Sequence, residues 1–123
     1  MSIRLDHTIV PAREKGAAAA FFADLFGLEL ADLVGPFAPV RINEELTLDF
    51  CNYKQPFEQH HYAFRVDEAS FDAIFGRVKA AGLSFGSGPT SPDDGRLYHR
   101  QGGRGVYFRC PEGHLLELMS GPG

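Results

Sequence analysis

The chain has no tryptophan and only two cysteines. Cys51 and Cys110 lie far apart and show no CxxC spacing, which excludes a disulfide scaffold and a cysteine-based zinc site. They read as reduced, packed thiols. Long apolar runs are also missing, so no segment is suited to span a bilayer. The N-terminal stretch MSIRLDHTIV carries a charge on each side of Leu5, where a signal peptide needs an apolar core. A cytoplasmic protein is therefore expected. There is no basic excess either. The formal net charge is −4, which offers no field for nucleic acid or an anionic membrane surface. What is present is 44% apolar residues in 123 positions, enough for one compact domain and too many for a disordered chain.

In chain order, Ile3 to Val10 alternates and is rich in branched residues, which predicts a strand ended by Pro11. Ala12 to Phe26 predicts a helix with an apolar stripe of Ala18, Phe21, Phe22, Leu25 and Phe26, capped by Gly27. Short strands follow at Leu28 to Val34, Phe37 to Ile42 and Leu46 to Asn52. In the last, Leu46, Leu48 and Phe50 face one way and Thr47, Asp49 and Cys51 the other. Residues 54–59 are polar and read as a linker. The pattern then restarts, with a strand from His60 to Val66 and a helix from Glu68 to Ala81, N-capped by Asp67 and closed by Gly82. Strands at Leu83 to Gly88 and Arg96 to Gln101 follow, with a turn at Gly102-Gly103. Gly105 to Met119 predicts a hairpin turning at Pro111-Glu112-Gly113, with Val106, Phe108, Leu116 and Leu118 on its apolar side. His114, an odd step from Glu117, reads as exposed.

The order of elements repeats. His7 and His61 stand 54 residues apart, and Gly27 and Gly82 stand 55 apart. The expected fold is α+β: one domain over residues 1–123, made of two tandem βαβββ modules, 1–53 and 60–120. Under this repeat His7 and His61 open equivalent strands, and Asp49 and Glu117 sit in equivalent final strands. Two imidazoles with one or two carboxylates suit a divalent metal, and two histidines with one carboxylate leave coordination positions open for substrate or dioxygen. A Glu in a lone hairpin is more often a solvated side chain; here the apolar neighbours of Asp49 and Glu117 leave the polar face for a cavity.

Four segments, LDHTIV (5–10), FFADLFGLEL (21–30), HYAFRV (61–66) and GVYFRCPEGHLLEL (105–118), resemble the vicinal oxygen chelate superfamily. That group includes glyoxalase I, extradiol dioxygenases, fosfomycin-resistance transferases and bleomycin-binding proteins. The resemblance implies a U-shaped or half-barrel mixed sheet around a metal cavity, helices outside, and a metal that chelates two adjacent substrate oxygens. His7, His61 and Glu117 match the ligand positions; His61 is preferred to His60 because His61-Tyr62-Ala63-Phe64 fits the family pattern. Asp49 stands where some members place a fourth ligand, usually Glu, and as a shorter acid reads either as a ligand or as a neighbouring charge. Tyr107, ten residues before Glu117, matches a substrate-contacting tyrosine, against a packed core tyrosine. His99 matches a region where dioxygenase relatives carry a histidine near the substrate, against a surface-loop histidine.

Departures narrow the field. No basic residue follows the last strand to hold a phosphonate, and no set of glutathione-binding cations is evident. Two functions of different class are expected. One is a metal-dependent enzyme (iron, zinc, nickel or manganese) acting on a small oxygen-rich substrate, with extradiol-dioxygenase-like or glyoxalase-like lyase or isomerase chemistry. The other is a non-catalytic small-molecule binding protein of the bleomycin-resistance type. A homodimer is implied by the resemblance.

Overall fold

A computed structural model describes residues 2–122. The elements run β1 (His7–Ala12), α1 (Lys15–Phe26), β2 (Phe37–Arg41), β3 (Thr47–Asn52), β4 (His61–Arg65), α2 (Glu68–Ala80), β5 (Phe85–Gly86), β6 (Tyr98–Arg100), β7 (Gly103–Arg109) and β8 (Leu115–Met119). The architecture is α+β, with two helices and mixed sheets. The chain divides into two compact units, residues 1–58 and 59–123. No helix among the described residues is long and apolar enough to cross a membrane.

In the N-terminal unit the strand order is β1-β3-β2, with β1 parallel and β2 antiparallel to β3. The period-two pattern of β3 sets its faces: Leu48 and Phe50 are buried beside Ala38 and Val40 of β2. Helix α1 covers them with Ala18, Ala19, Phe22 and Leu25. The Phe22 ring lies 5.9 Å from that of Phe50. Glu14 caps the helix N-terminus by accepting from the Ala17 amide, and Gly27 ends it at φ 71°. A left-handed residue here costs least as glycine.

The C-terminal unit repeats this plan in a sheet ordered β4-β8-β7-β5, with β6 also on β7. Again the first strand, β4, is parallel to the last, β8, and β7 is antiparallel to it. Val106, Phe108, Leu116 and Leu118 are buried beneath the Phe71, Ile74 and Val78 stripe of α2. Asp67 caps α2 by accepting from the Ser70 amide at 2.7 Å. The helix start is tied to the sheet by Glu68, which accepts from the Ser120 hydroxyl at 2.7 Å and from Arg104 Nε at 2.9 Å.

Several expectations are corrected. Pro11 does not end β1 but lies within it, opposite Cys51; β1 is outermost in its sheet, where a residue without an N–H is tolerated. Helix α1 begins at Lys15 rather than Ala12. The segment Leu28 to Val34 is no strand. It touches β2 only by the isolated bridges Leu30↔Val40 and Val34↔Phe37 and leaves Leu33 and Val34 exposed, beside a partner strand whose Pro39 has no N–H to give. The strand expected over Leu83 to Gly88 contracts to Phe85–Gly86. Gly103 belongs to β7, and the turn before it is Gln101-Gly102. His114 is buried, at 1% exposure, because its Nδ1 accepts from the His60 amide at 2.9 Å.

Candidate metal centre

The candidate ligands fall at matching register points in the two units. His7 opens β1 opposite Thr47, and Asp49 lies two residues further along β3. His61 opens β4 opposite Leu115, and Glu117 lies two residues further along β8. Parallel pairing in both sheets therefore puts one imidazole and one carboxylate on neighbouring strands, each pair on the face away from its helix.

In the C-terminal unit the pair meets. His61 Nε2 is 3.2 Å from Glu117 Oε1. Glu117 is flanked in register by Ala63 on β4, which adds no bulk, and by Tyr107 on β7. It is 8% exposed, an expensive place for a carboxylate without partners. Its partners are His61 and the Tyr98 hydroxyl, which donates to Oε2 at 2.5 Å. The Tyr107 ring lies 5.8 Å from both the His61 and the Tyr98 rings. Burial pushes the Tyr98 phenol up, and the hydrogen bond and negative charge of Glu117 push it further, with Arg100 opposing. Tyr107 is raised for the same reasons in the same order, again against Arg100.

In the N-terminal unit His7 is exposed and bonds through Nδ1 to Asp6 Oδ2 at 2.8 Å. That hydrogen bond raises the imidazole, desolvation lowers it, and the charges of Asp6 and Asp49 raise it. With Nδ1 taken, Nε2 is the nitrogen left to ligate, an arrangement common around protein-bound metals. Asp49 is half-buried on β3.

Among the described residues no three His, Cys, Asp or Glu side chains stand together as a ready cage. The His61–Glu117 pair nevertheless fits one ion. Donor atoms at about 2.0–2.1 Å from a common metal are themselves about 2.9–3.4 Å apart, depending on geometry, and the observed separation is 3.2 Å.

His99 lies between Tyr98 and Arg100 on β6, and its side chain is exposed. Sequence reasoning passed over its neighbour Tyr98, whose hydroxyl reaches Glu117. A signal was available in Gly105, a glycine inside a strand, which marks close approach by another group. Tyr98 faces Gly105 across β6 and β7. Asp6 was likewise missed.

The profile of the Glyoxalase/Bleomycin resistance protein/Dioxygenase superfamily matches residues 4–118. The chain belongs to this superfamily. Among solved structures it is similar to one described as oxidase ChaP-H2, with 44% identity and a TM-score of 0.95, covering 99% of this chain and 96% of that one. The fosfomycin resistance protein FosX from Mesorhizobium loti shares the fold at a TM-score of 0.73 and 22% identity, over 99% and 95% of the two chains. Metallothiol transferase FosB of Shouchella clausii (strain KSM-K16) is 36% identical over 61 residues, which are 50% of this chain and only 38% of that protein. Two of these relatives carry the names of enzymes of different kinds, an oxidase and a transferase.

Proposed function

We propose that the protein is a metal-dependent enzyme that uses dioxygen to oxidise a small substrate bearing two adjacent oxygen atoms. The observation that carries this reading is the His61–Glu117 pair, spaced as two ligands of one ion, in a chain that is 44% identical to an oxidase over 99% of its length. That similarity favours oxidative over lyase chemistry.

In this reading His61 Nε2 and Glu117 Oε1 are ligands of the ion, and His7, held through Nδ1 by Asp6, keeps Nε2 open as a candidate ligand presented by its own unit. Asp49, a methylene shorter than the usual acid, is kept as a negative charge near His7. A divalent ion held by His61 and Glu117 would supply Lewis acidity and, if iron, redox capacity toward dioxygen. The chain's own groups do the rest. The Tyr98 hydroxyl holds Glu117 Oε2 and so turns Oε1 toward His61. The Tyr107 hydroxyl, beside the same carboxylate, is placed to give a proton to a substrate oxygen and take one back. His99, exposed on β6, is given no direct part; Tyr98 and Tyr107 take the role expected of it. The homodimer implied by the family resemblance belongs to the same reading, and light scattering on the purified protein tests it.

Elemental analysis of protein purified without chelator, beside the His7→Ala/Glu117→Ala variant, tests the proposal. About one iron per chain, absent from the variant, together with oxygen uptake on catechols, supports it. Zinc or nickel at that level with no oxygen uptake replaces it by lyase or isomerase chemistry. No metal after reconstitution overturns it in favour of a binding protein.

A further inference from the structure

A small cavity of about 80 Å³ opens within the C-terminal unit, next to Glu117. Tyr98, Ser120 and three arginines, Arg65, Arg100 and Arg104, contribute to its wall. The chain as a whole is acidic, so three guanidinium groups around one small space are not a consequence of composition.

The three are employed differently. Arg104 is neutralised by Glu68 and Asp72, at 2.9 and 2.8 Å. Arg65 gives Nη1 to the main-chain oxygens of Ser120 and Gly121, both at 3.1 Å. This anchors the group without cancelling its charge and leaves further N–H donors unspent. Arg100 lies over the Tyr98 ring at 5.8 Å, within the reach of a cation–π contact. Neither Arg65 nor Arg100 forms an ion pair with a carboxylate among the described residues. The carboxylate in the wall, Glu117, is already engaged with His61 and the Tyr98 phenol. The local balance is therefore positive, and more so if Glu117 serves as a ligand.

We infer that Arg100, with Arg65, forms a subsite for a carboxylate carried by the substrate. The size agrees. The space has room for a group of a few heavy atoms such as a carboxylate and is smaller than the cavity of about 150 Å³ that takes a benzene ring. A planar guanidinium is matched to a carboxylate and gives charge-assisted hydrogen bonds that a neutral substituent lacks. The inference rests on the proposed function for its view of the substrate as a compound with vicinal oxygens. It narrows that class to acidic members and makes Arg100 a specificity-determining residue.

Catechol and protocatechuate differ by one carboxylate and serve as probes. NMR titration of chelator-treated protein, with the parent, Arg100→Gln, Arg100→Lys and Arg65→Gln chains, gives the affinity ratio of the two. The parent is expected to bind protocatechuate about tenfold more tightly, the low end for a partly exposed charged hydrogen bond. Arg100→Gln should bring the ratio near one, and Arg100→Lys and Arg65→Gln should each keep part of it. Equal binding of the two probes by the parent, including none of either, overturns the subsite. So does a preference that survives in Arg100→Gln while its amide spectrum shows a folded chain. Because the titration needs neither metal nor turnover, failure of the metal reading leaves this ratio intact. A missing preference, conversely, leaves metal content and oxygen uptake untouched.

Discussion

Tyr98 and Gly105 face each other across β6 and β7, and a methyl group at Gly105 would lie 1.8 Å from the Tyr98 ring. The bare glycine is the slot in which the ring lies to reach Glu117. Gly105→Ala should therefore push the Tyr98 hydroxyl off the carboxylate, with an overpacking cost of roughly 1–3 kcal/mol. Loss of such a supporting bond typically weakens metal affinity about 10–100-fold. Tyr98→Phe keeps the ring in the slot and removes only the hydroxyl. It should lower metal affinity similarly while the melting temperature stays within a few degrees, measured by metal titration and thermal unfolding. Unchanged metal affinity in both variants would remove Tyr98 from the site.

His61→Ala is expected to take metal content to background and leave the fold intact. The side chain is 45% exposed, so folding loses little packing when it is trimmed. Elemental analysis and circular dichroism read the two effects separately. A folded variant with full metal content would refute His61 as a ligand.

His114→Ala should do the reverse. The imidazole is buried and accepts from the His60 amide, so its removal leaves a donor without its partner, at about 1–3 kcal/mol. Urea unfolding should show that loss, while metal content per folded chain stays at the parent level.

Glu68 makes stability depend on pH. The Ser120 hydroxyl first, then the Arg104 guanidinium, holds its carboxyl below the ordinary value of 4.5. A depressed folded value means the contribution is fully present above the unfolded value and is lost as pH falls through the folded one. The parent should thus lose melting temperature faster than Glu68→Gln as pH drops below 4.5. Parallel curves would show that the network adds nothing. The carboxylate is exposed, so the difference should be small and shrink with salt.

Much of the scaffold was legible because its determinants are local. Period-two alternation put Leu48 and Phe50 on one side of β3, and Leu116 and Leu118 on one side of β8, leaving Asp49 and Glu117 on the opposite faces. Gly27 and Asp67 marked helix ends because caps are satisfied within a turn of the chain. The repeated order of elements gave His7 and His61 equivalent positions, and likewise Asp49 and Glu117, and the registers within the two sheets repeat in the same way.

What the tertiary structure decided depends on pairing between distant segments. Alternation in Leu28 to Val34 resembles that of a strand, but a strand needs a partner with donors to share, and β2 offers only two isolated bridges there. His114 looked exposed by counting from Glu117, yet the same count puts it on the face of Leu116 and Leu118, which is buried, where it meets the His60 amide. Tyr98 rather than His99 reaches Glu117 because β6 meets β7 with Tyr98 opposite Gly105. A shift of one residue would reverse the two. The sequence by itself determined which residues face the core and which polar groups share the other face, since periodicity is written residue by residue. Which of those groups touch was decided only when strands far apart in the chain took one register.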